Sequence, residues 1–195
     1  SGCLCCTIRG DLIDTLRSLF VRRVKGEIPE FDRVVIETTG LADPAPILHT
    51  LMSDPVLASR YRLDGVISTV DGVNGAKQLD TNFESIKQAA VADRLLVTKG
   101  DIASENDVAM LTKRLQSLNP AAPVFPVQHG EIEPSTLFNC GLFDPAKKVP
   151  DVAKWLREEA YSEEHQDHHH GDDHGHGHHH DVNRHDESIH AFCLT

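Results

Sequence analysis

Three of the five cysteines crowd into the first six residues, as Cys3-Leu4-Cys5-Cys6. Thiols this close in sequence cannot form relaxed disulfides with one another. Thiolates at this density suit a soft or borderline ion such as Zn²⁺ or Cu⁺, although free cysteines are also common as small buried side chains. The pattern favours a metal site at Cys3, Cys5 and Cys6, in a protein of the reducing cytoplasm.

A second candidate site is the sequence Glu-Thr-Thr-Gly that follows the apolar run RVVI. An acid at the end of a buried strand can hold Mg²⁺, and a glycine just beyond it lets a backbone N–H approach a terminal phosphate. The alternative is an ordinary strand that ends in an acid. Glu37, as Mg²⁺ ligand, and Gly40, as phosphate sensor, are the catalytic candidates.

A third candidate is the sequence Thr-Lys-Gly-Asp at 98–101, directly after the apolar run RLLV. Guanine-specific proteins carry Asn/Thr-Lys-x-Asp in such a place. The Asp101 carboxylate can accept two hydrogen bonds from guanine, a pair that adenine cannot supply, and the Lys99 stem packs over the base or ribose. Alone the sequence could be a simple turn. Its position two strands after Glu-Thr-Thr-Gly favours a guanine site at Thr98, Lys99 and Asp101.

The charge of the chain is concentrated near one end. Residues 1–161 carry 18 basic and 22 acidic residues, whereas 162–195 carry 1 basic and 8 acidic residues and 11 of the 13 histidines. A chain without a large basic field is not expected to bind nucleic acid or an anionic membrane nonspecifically. No apolar run approaches the roughly 20 residues that a membrane helix needs.

Residues 162–181 contain nine histidines and no apolar residue. Such a segment cannot bury enough surface to fold, so it is predicted to be a disordered linker. Neutral imidazoles bind transition metals, which makes the tract a candidate for gathering or buffering metal; a solubilising linker is the alternative. The accessory ligands are His168, His169, His170, His174, His176, His178, His179 and His180.

Short apolar runs alternate with amphipathic segments along the chain. Helices are predicted over 10–24, 44–53, 83–92, 104–118 and 150–160, and strands over 33–37, within 64–71, 94–97 and 123–127. Ser104 should cap its helix. This alternation indicates a three-layer α/β domain with a parallel sheet. The domain is expected to span 1–161, followed by a linker at 162–186 and the start of a second, α+β domain at 187–195.

The segments GCLCC, VVIETTGLADP and TKGD occur in the order and spacing typical of the CobW-like metallochaperone GTPases, which the chain resembles over nearly its whole length. The resemblance implies a P-loop GTPase fold, GTP and Mg²⁺ as cofactors, and a metal site at the CxCC cysteines that takes Zn²⁺, Co²⁺ or another divalent ion. It also implies a client metalloprotein or cobalt-insertion enzyme as partner. A homodimer is left open.

One departure from the family is large, because no G-x-x-x-x-G-K-[ST] sequence occurs in the chain. That P-loop supplies the phosphate cradle, a lysine and an Mg²⁺-binding hydroxyl. We therefore expect a fragment that lacks the first strand and P-loop and does not hydrolyse GTP alone. Three functions stay open for the parent protein: a GTP-driven metal chaperone or insertase, a nonenzymatic metal-storage protein, and cobalt handling in cobalamin synthesis.

Overall fold

The computed structural model describes residues 4–141 and 143–164, with side chains over 10–141 and 143–158. Three helices come first in this part of the chain, and strands then alternate with further helices. The elements are α1 (Leu4–Val24), α2 (Pro44–Ser53), α3 (Pro55–Arg60), β1 (Ile67–Asp71), α4 (Gly75–Thr81), α5 (Phe83–Val91), β2 (Arg94–Thr98), α6 (Glu105–Leu118), β3 (Val124–Pro126) and α7 (Pro150–Glu164), with 3₁₀ turns at Pro134–Thr136 and Pro145–Lys147.

The three strands form a parallel sheet in the order β1-β2-β3. Helices α4 and α5 connect β1 to β2, and α6 connects β2 to β3, as parallel pairing requires. The register places Asp71 opposite Thr98, so both strands end at the same edge. The predicted α/β class with a parallel sheet is confirmed.

Two apolar clusters hold the helices in place. The first lies between one face of the sheet and α4, α5 and α6, with Val70, Leu95, Val97, Leu111 and Leu115 at its centre. The second joins α2, α5 and α7, and its buried members are Ala45, Leu48, Ala90, Val91, Val152 and Leu156. Helix α5 contributes to both clusters and is therefore buried on opposite sides.

The predicted buried strand over residues 33–37 is wrong for this structure. The segment has no strand, and Val35 and Ile36 are 77% and 39% exposed. A β-branched apolar run becomes a strand only beside another strand that completes its backbone hydrogen bonds. Among the described residues no strand pairs with this segment, so its apolar side chains reach solvent.

Asn119 joins the end of α6 to the end of α5. Its side-chain amide donates to the carbonyl oxygens of Ala89, Ala90 and Ala92 at 2.9, 3.1 and 2.9 Å. The residue is 1% exposed. The last carbonyls of a helix have no partner within the helix, and here a buried side chain supplies one.

Replacing Asn119 by Ala should lower the free energy of unfolding by about 3 kcal/mol, because buried carbonyls lose their donor. Urea denaturation measures the change. Gln116→Ala, at an exposed position of the same helix, is the matched control and should alter stability by less than about 0.5 kcal/mol. Equal stabilities for the two variants would contradict this account of the α5 terminus.

Candidate functional site

Loops that follow β1 and β2 meet at the carboxyl edge of the sheet, where parallel α/β proteins bind their ligands. The Gly72 N–H donates to the Thr98 carbonyl at 2.8 Å, which continues the ladder one residue beyond β1. A Cβ atom at position 72 would lie 2.7 Å from that carbonyl oxygen. The approach of the two loops therefore requires glycine at this position.

Asp71 organises this edge. Its carboxylate accepts hydrogen bonds from the backbone N–H groups of Val73 and Asn74, at 2.8 and 3.1 Å, and from the Lys99 ammonium at 2.7 Å. Burial raises the pKa of Asp71, but the hydrogen bonds from Lys99 and the two amides outweigh it and lower the pKa to about 2. Asp71 is thus a charged anchor for the Lys99 side chain.

The backbone of Lys99 is in the left-handed region, with φ of 58°. A residue with a Cβ atom adopts this conformation at a cost of about 1 kcal/mol. The surrounding turn holds it there, since the Lys99 carbonyl accepts from the N–H groups of Ile102 and Ala103 at 3.2 and 3.1 Å. Ser104 then caps α6 by accepting from the Asp107 N–H at 3.1 Å, as the sequence predicted.

The loop after β3 lies against the same turn. A Cβ atom on Gly100 would lie 3.9 Å from the side-chain nitrogen of Gln128. His129 and Gly130 both have positive φ, and the chain turns back so that Glu131 N–H donates to the Gln128 carbonyl at 2.9 Å. The side chain of Asp101 is exposed beside this turn. The edge thus presents a fixed lysine and an accessible carboxylate.

The Glu-Thr-Thr-Gly candidates lie in the loop between residue 37 and α2, and both Glu37 and Gly40 are exposed. The Gln88 side-chain amide donates to the carbonyl oxygens of Gly40 and Ala42 at 3.2 and 2.8 Å. Within the described part of the chain, no hydrogen bond or ion pair joins residues 37–40 to residues 98–101. Helix α5 therefore anchors this loop, and the sequence did not indicate this contact.

Asp43 ends the loop and caps the start of α2. Its carboxylate accepts from the Ala45 N–H at 2.9 Å, a helix cap, and also pairs with the ammonium of Lys87 on α5. Lys87 is a functional candidate that the sequence analysis missed, because a lysine in an amphipathic helix normally faces solvent. Asp71 was also not among the predicted site residues, although the strand predicted within 64–71 ends at this acid.

The predicted metal ligands fall mainly on residues whose placement is not described. Cys3 and His165–His180 lie outside the described residues, and Cys5 and Cys6 lie in the first turn of α1 with side chains outside the described set. The described residues contain no group of three or more His, Cys, Asp or Glu that could hold a metal ion. The CxCC site and the histidine tract therefore remain predictions.

No helix in the described ranges is both long and apolar enough to cross a membrane.

The lowered pKa of Asp71 makes stability depend on pH. A carboxyl whose pKa falls from 3.8 to about 2 on folding stabilises the protein above pH 4, and this contribution is lost as the pH falls toward 2. Asp71→Asn should therefore lower the free energy of unfolding by about 2 kcal/mol at pH 7 and by much less at pH 2. Denaturation at both pH values measures this, and Asp80→Asn, at an exposed carboxylate, is the control. A loss that is equal at both pH values would refute the electrostatic role.

Comparisons with known proteins place the fold and this edge in context. A family model described as "CobW/HypB/UreG, nucleotide-binding domain" matches residues 1–126. The zinc chaperone YjiA of Escherichia coli K12 is 45% identical over 143 residues, which are 73% of this chain and 44% of YjiA. The zinc-regulated GTPase metalloprotein activator 1 of Schizosaccharomyces pombe is 31% identical over 134 residues, 68% of this chain and 31% of that protein.

A solved structure gives the same result. The crystal structure of the Zn(II)-bound YjiA GTPase from Escherichia coli matches with a TM-score of 0.62 and 45% identity, over 68% of this chain and 41% of that one. The chain thus spans less than half the length of each of these relatives. The family model covers well over half of the 195 residues, and the chain therefore belongs to the CobW/HypB/UreG family of nucleotide-binding domains.

Proposed function

We propose that this chain is part of a GTP-dependent metal chaperone or insertase, which binds a transition metal, zinc in the first place, and couples its transfer to GTP hydrolysis. The observation that carries the proposal is the built turn at 98–101. Its lysine is held in a left-handed conformation and paired with Asp71, while Asp101 stays accessible. A metal-storage protein needs no guanine reader, so the turn favours a nucleotide switch.

The relatives support the same function. One is named a zinc chaperone, another a zinc-regulated GTPase metalloprotein activator, and the matched crystal structure is that of a zinc-bound GTPase. Family membership with 45% identity to a zinc chaperone makes zinc the first metal to test. The client is then a metalloprotein that receives the ion; a cobalt-insertion enzyme is the alternative client.

The residues of the loop at 37–40 suit Mg²⁺ and a terminal phosphate. Glu37 offers an exposed carboxylate, the oxygen ligand that Mg²⁺ prefers, and a Cβ atom on Gly40 would meet nothing within 4 Å. Bound Mg²⁺ would neutralise phosphate charge. In this proposal Glu37 holds the ion, Gly40 approaches the γ-phosphate, and Lys99 and Asp101 bind guanine, with Thr98 at the start of their turn.

The thiols at Cys3, Cys5 and Cys6 suit the cargo ion. Three thiolates leave the fourth tetrahedral position of Zn²⁺ open for a ligand from the receiving protein. For GTP to drive transfer, the affinity of this site for metal must differ between the GTP-bound and GDP-bound protein. Both the CxCC cysteines and the loop at 37–40 fall within residues 1–126, the part of the chain that matches the nucleotide-binding family, which is consistent with such coupling.

The guanine site is tested by Asp101→Asn in the full-length protein. The variant loses an acceptor for two guanine hydrogen bonds, so the affinity for GTP should fall by about 10- to 100-fold. Asparagine can instead donate to xanthine, and the affinity for XTP should rise. Binding of fluorescent GTP and XTP analogues measures both. Asp80→Asn, at an exposed carboxylate on α4, should change neither, and an unaltered preference in the Asp101 variant would reject the assignment.

The metal sites are tested by zinc titration of the full-length protein with a competing chelator. Affinity of the tight site should differ by about 5-fold or more between a nonhydrolysable GTP analogue and GDP. The double variant Cys5→Ser/Cys6→Ser should lose tight zinc binding at this site and keep the weakly bound ions.

Since α7 continues to Glu164, residues 165–181 should be replaced by a Gly/Ser segment of equal length. That replacement should lower only the number of weak ions.

Two results of this titration would contradict the proposal. Equal zinc affinity in the two nucleotide states would remove the coupling of metal transfer to GTP. An unchanged number of bound ions after replacement of residues 165–181 would make the histidine tract a solubilising linker.

A further inference from the structure

Lys87 on α5 is a buried cation with a specific set of partners. The residue is 6% exposed, and its ammonium pairs with the Asp43 carboxylate. The same ammonium lies 5.3 Å from the centre of the Phe83 ring and 5.6 Å from that of Trp155. The two rings meet edge to face, with centroids 5.8 Å apart. Because an unpaired buried charge is strongly unfavourable, the Lys87 ammonium and the Asp43 carboxylate must stay together or rearrange together.

The next residue on α5, Gln88, holds the other part of the same loop. Its amide donates to the carbonyl oxygens of Gly40 and Ala42. The loop at 37–43 is therefore attached to α5 at both Asp43 and Gly40. Any movement of the Gly40 backbone toward a phosphate must lengthen or break the bond from Gln88, and any movement of Asp43 must carry Lys87 with it.

Trp155 connects this arrangement to α7. The helix is anchored through Val152 and Leu156, which are buried in the second apolar cluster with α2 and α5. Helix α7 ends at Glu164, and the histidine-rich sequence begins with the next residue. One turn of α5 thus contacts both the loop at 37–43 and helix α7. The contact with α7 is made by Lys87 and Trp155.

We propose that Lys87 and Gln88 are positioning residues that couple the nucleotide state at Gly40 to α7. When the loop rearranges between the GTP-bound and GDP-bound protein, the Lys87 ammonium shifts relative to the Trp155 ring, and α7 adjusts its packing. This inference rests on the proposed function, since it needs a nucleotide that contacts the loop.

The fluorescence of Trp155, the single tryptophan of this chain, tests the coupling. The full-length protein is saturated with Mg²⁺ and either GDP or a nonhydrolysable GTP analogue, and nucleotide binding is measured in parallel. The spectrum of Trp155 is the difference between the protein and its Trp155→Phe variant. We expect the emission maximum to shift between the two nucleotide states, because the charge and packing beside the indole change.

Matched variants identify the residues that transmit the shift. Lys87→Met should abolish it, Lys87→Arg should retain it, and Lys113→Met, at an exposed position on α6, should leave it unchanged. Gln88→Leu removes the bonds to the loop without touching the buried ion pair and should also abolish the shift, which keeps the test decisive if Lys87→Met does not fold.

The outcomes separate the two proposals. Absence of guanine-nucleotide binding would overturn the proposed function and the coupling with it. Normal binding of both nucleotides with an identical Trp155 spectrum would overturn the coupling alone. Persistence of the shift in Gln88→Leu would exclude Gln88 as a transmitting residue, and its persistence in Lys87→Met would exclude Lys87.

Discussion

The parallel pairing of β1 with β2 is the constraint on which the rest of the structure depends. Its register sets Asp71 beside Thr98, so the two loops that follow must share one edge of the sheet. Only then can Asp71 hold the Lys99 side chain, and only glycine at position 72 leaves room for the Thr98 carbonyl. The geometry of the candidate guanine site is thus a consequence of strand register.

A small number of partly or fully buried polar side chains gives this α/β chain its specific arrangement. Apolar burial would tolerate many relative positions of the helices, since it is not directional. Asn119 fixes the end of α5 against α6, and the pair of Lys87 with Asp43 fixes α5 against α2. Asp71 does the same for the two loops at the sheet edge. The contacts of Asn119 and Lys87 would be costly to break because both side chains are buried in a poorly solvated environment.

The sequence predicted those features that depend on local patterns. The helix over 44–53 begins at the predicted proline, the strands at 67–71 and 94–98 lie where apolar runs indicated, and Ser104 caps its helix. The strand over 33–37 was wrong because strand formation depends on a neighbour that no local pattern reveals. Short helices such as α3 and α4 carry too few residues to show a period.

The site was predicted only in part for the same reason. Residue types singled out Lys99 and Asp101 as candidates, whereas Lys87, Gln88 and Asp71 become candidates only through contacts across 28 to 48 residues of sequence. The helical periodicity of a sequence does not predict that a lysine will be buried against two aromatic rings.

The sharing of α5 between two apolar clusters determines how the domain can come apart. Ala89 and Ala92 belong to the cluster with the sheet, whereas Ala90 and Val91 belong to the cluster with α2 and α7. Neither cluster can open without exposing the helix on which the other is built. The domain is therefore one cooperative unit, in which local unfolding on the α7 side weakens the sheet edge as well.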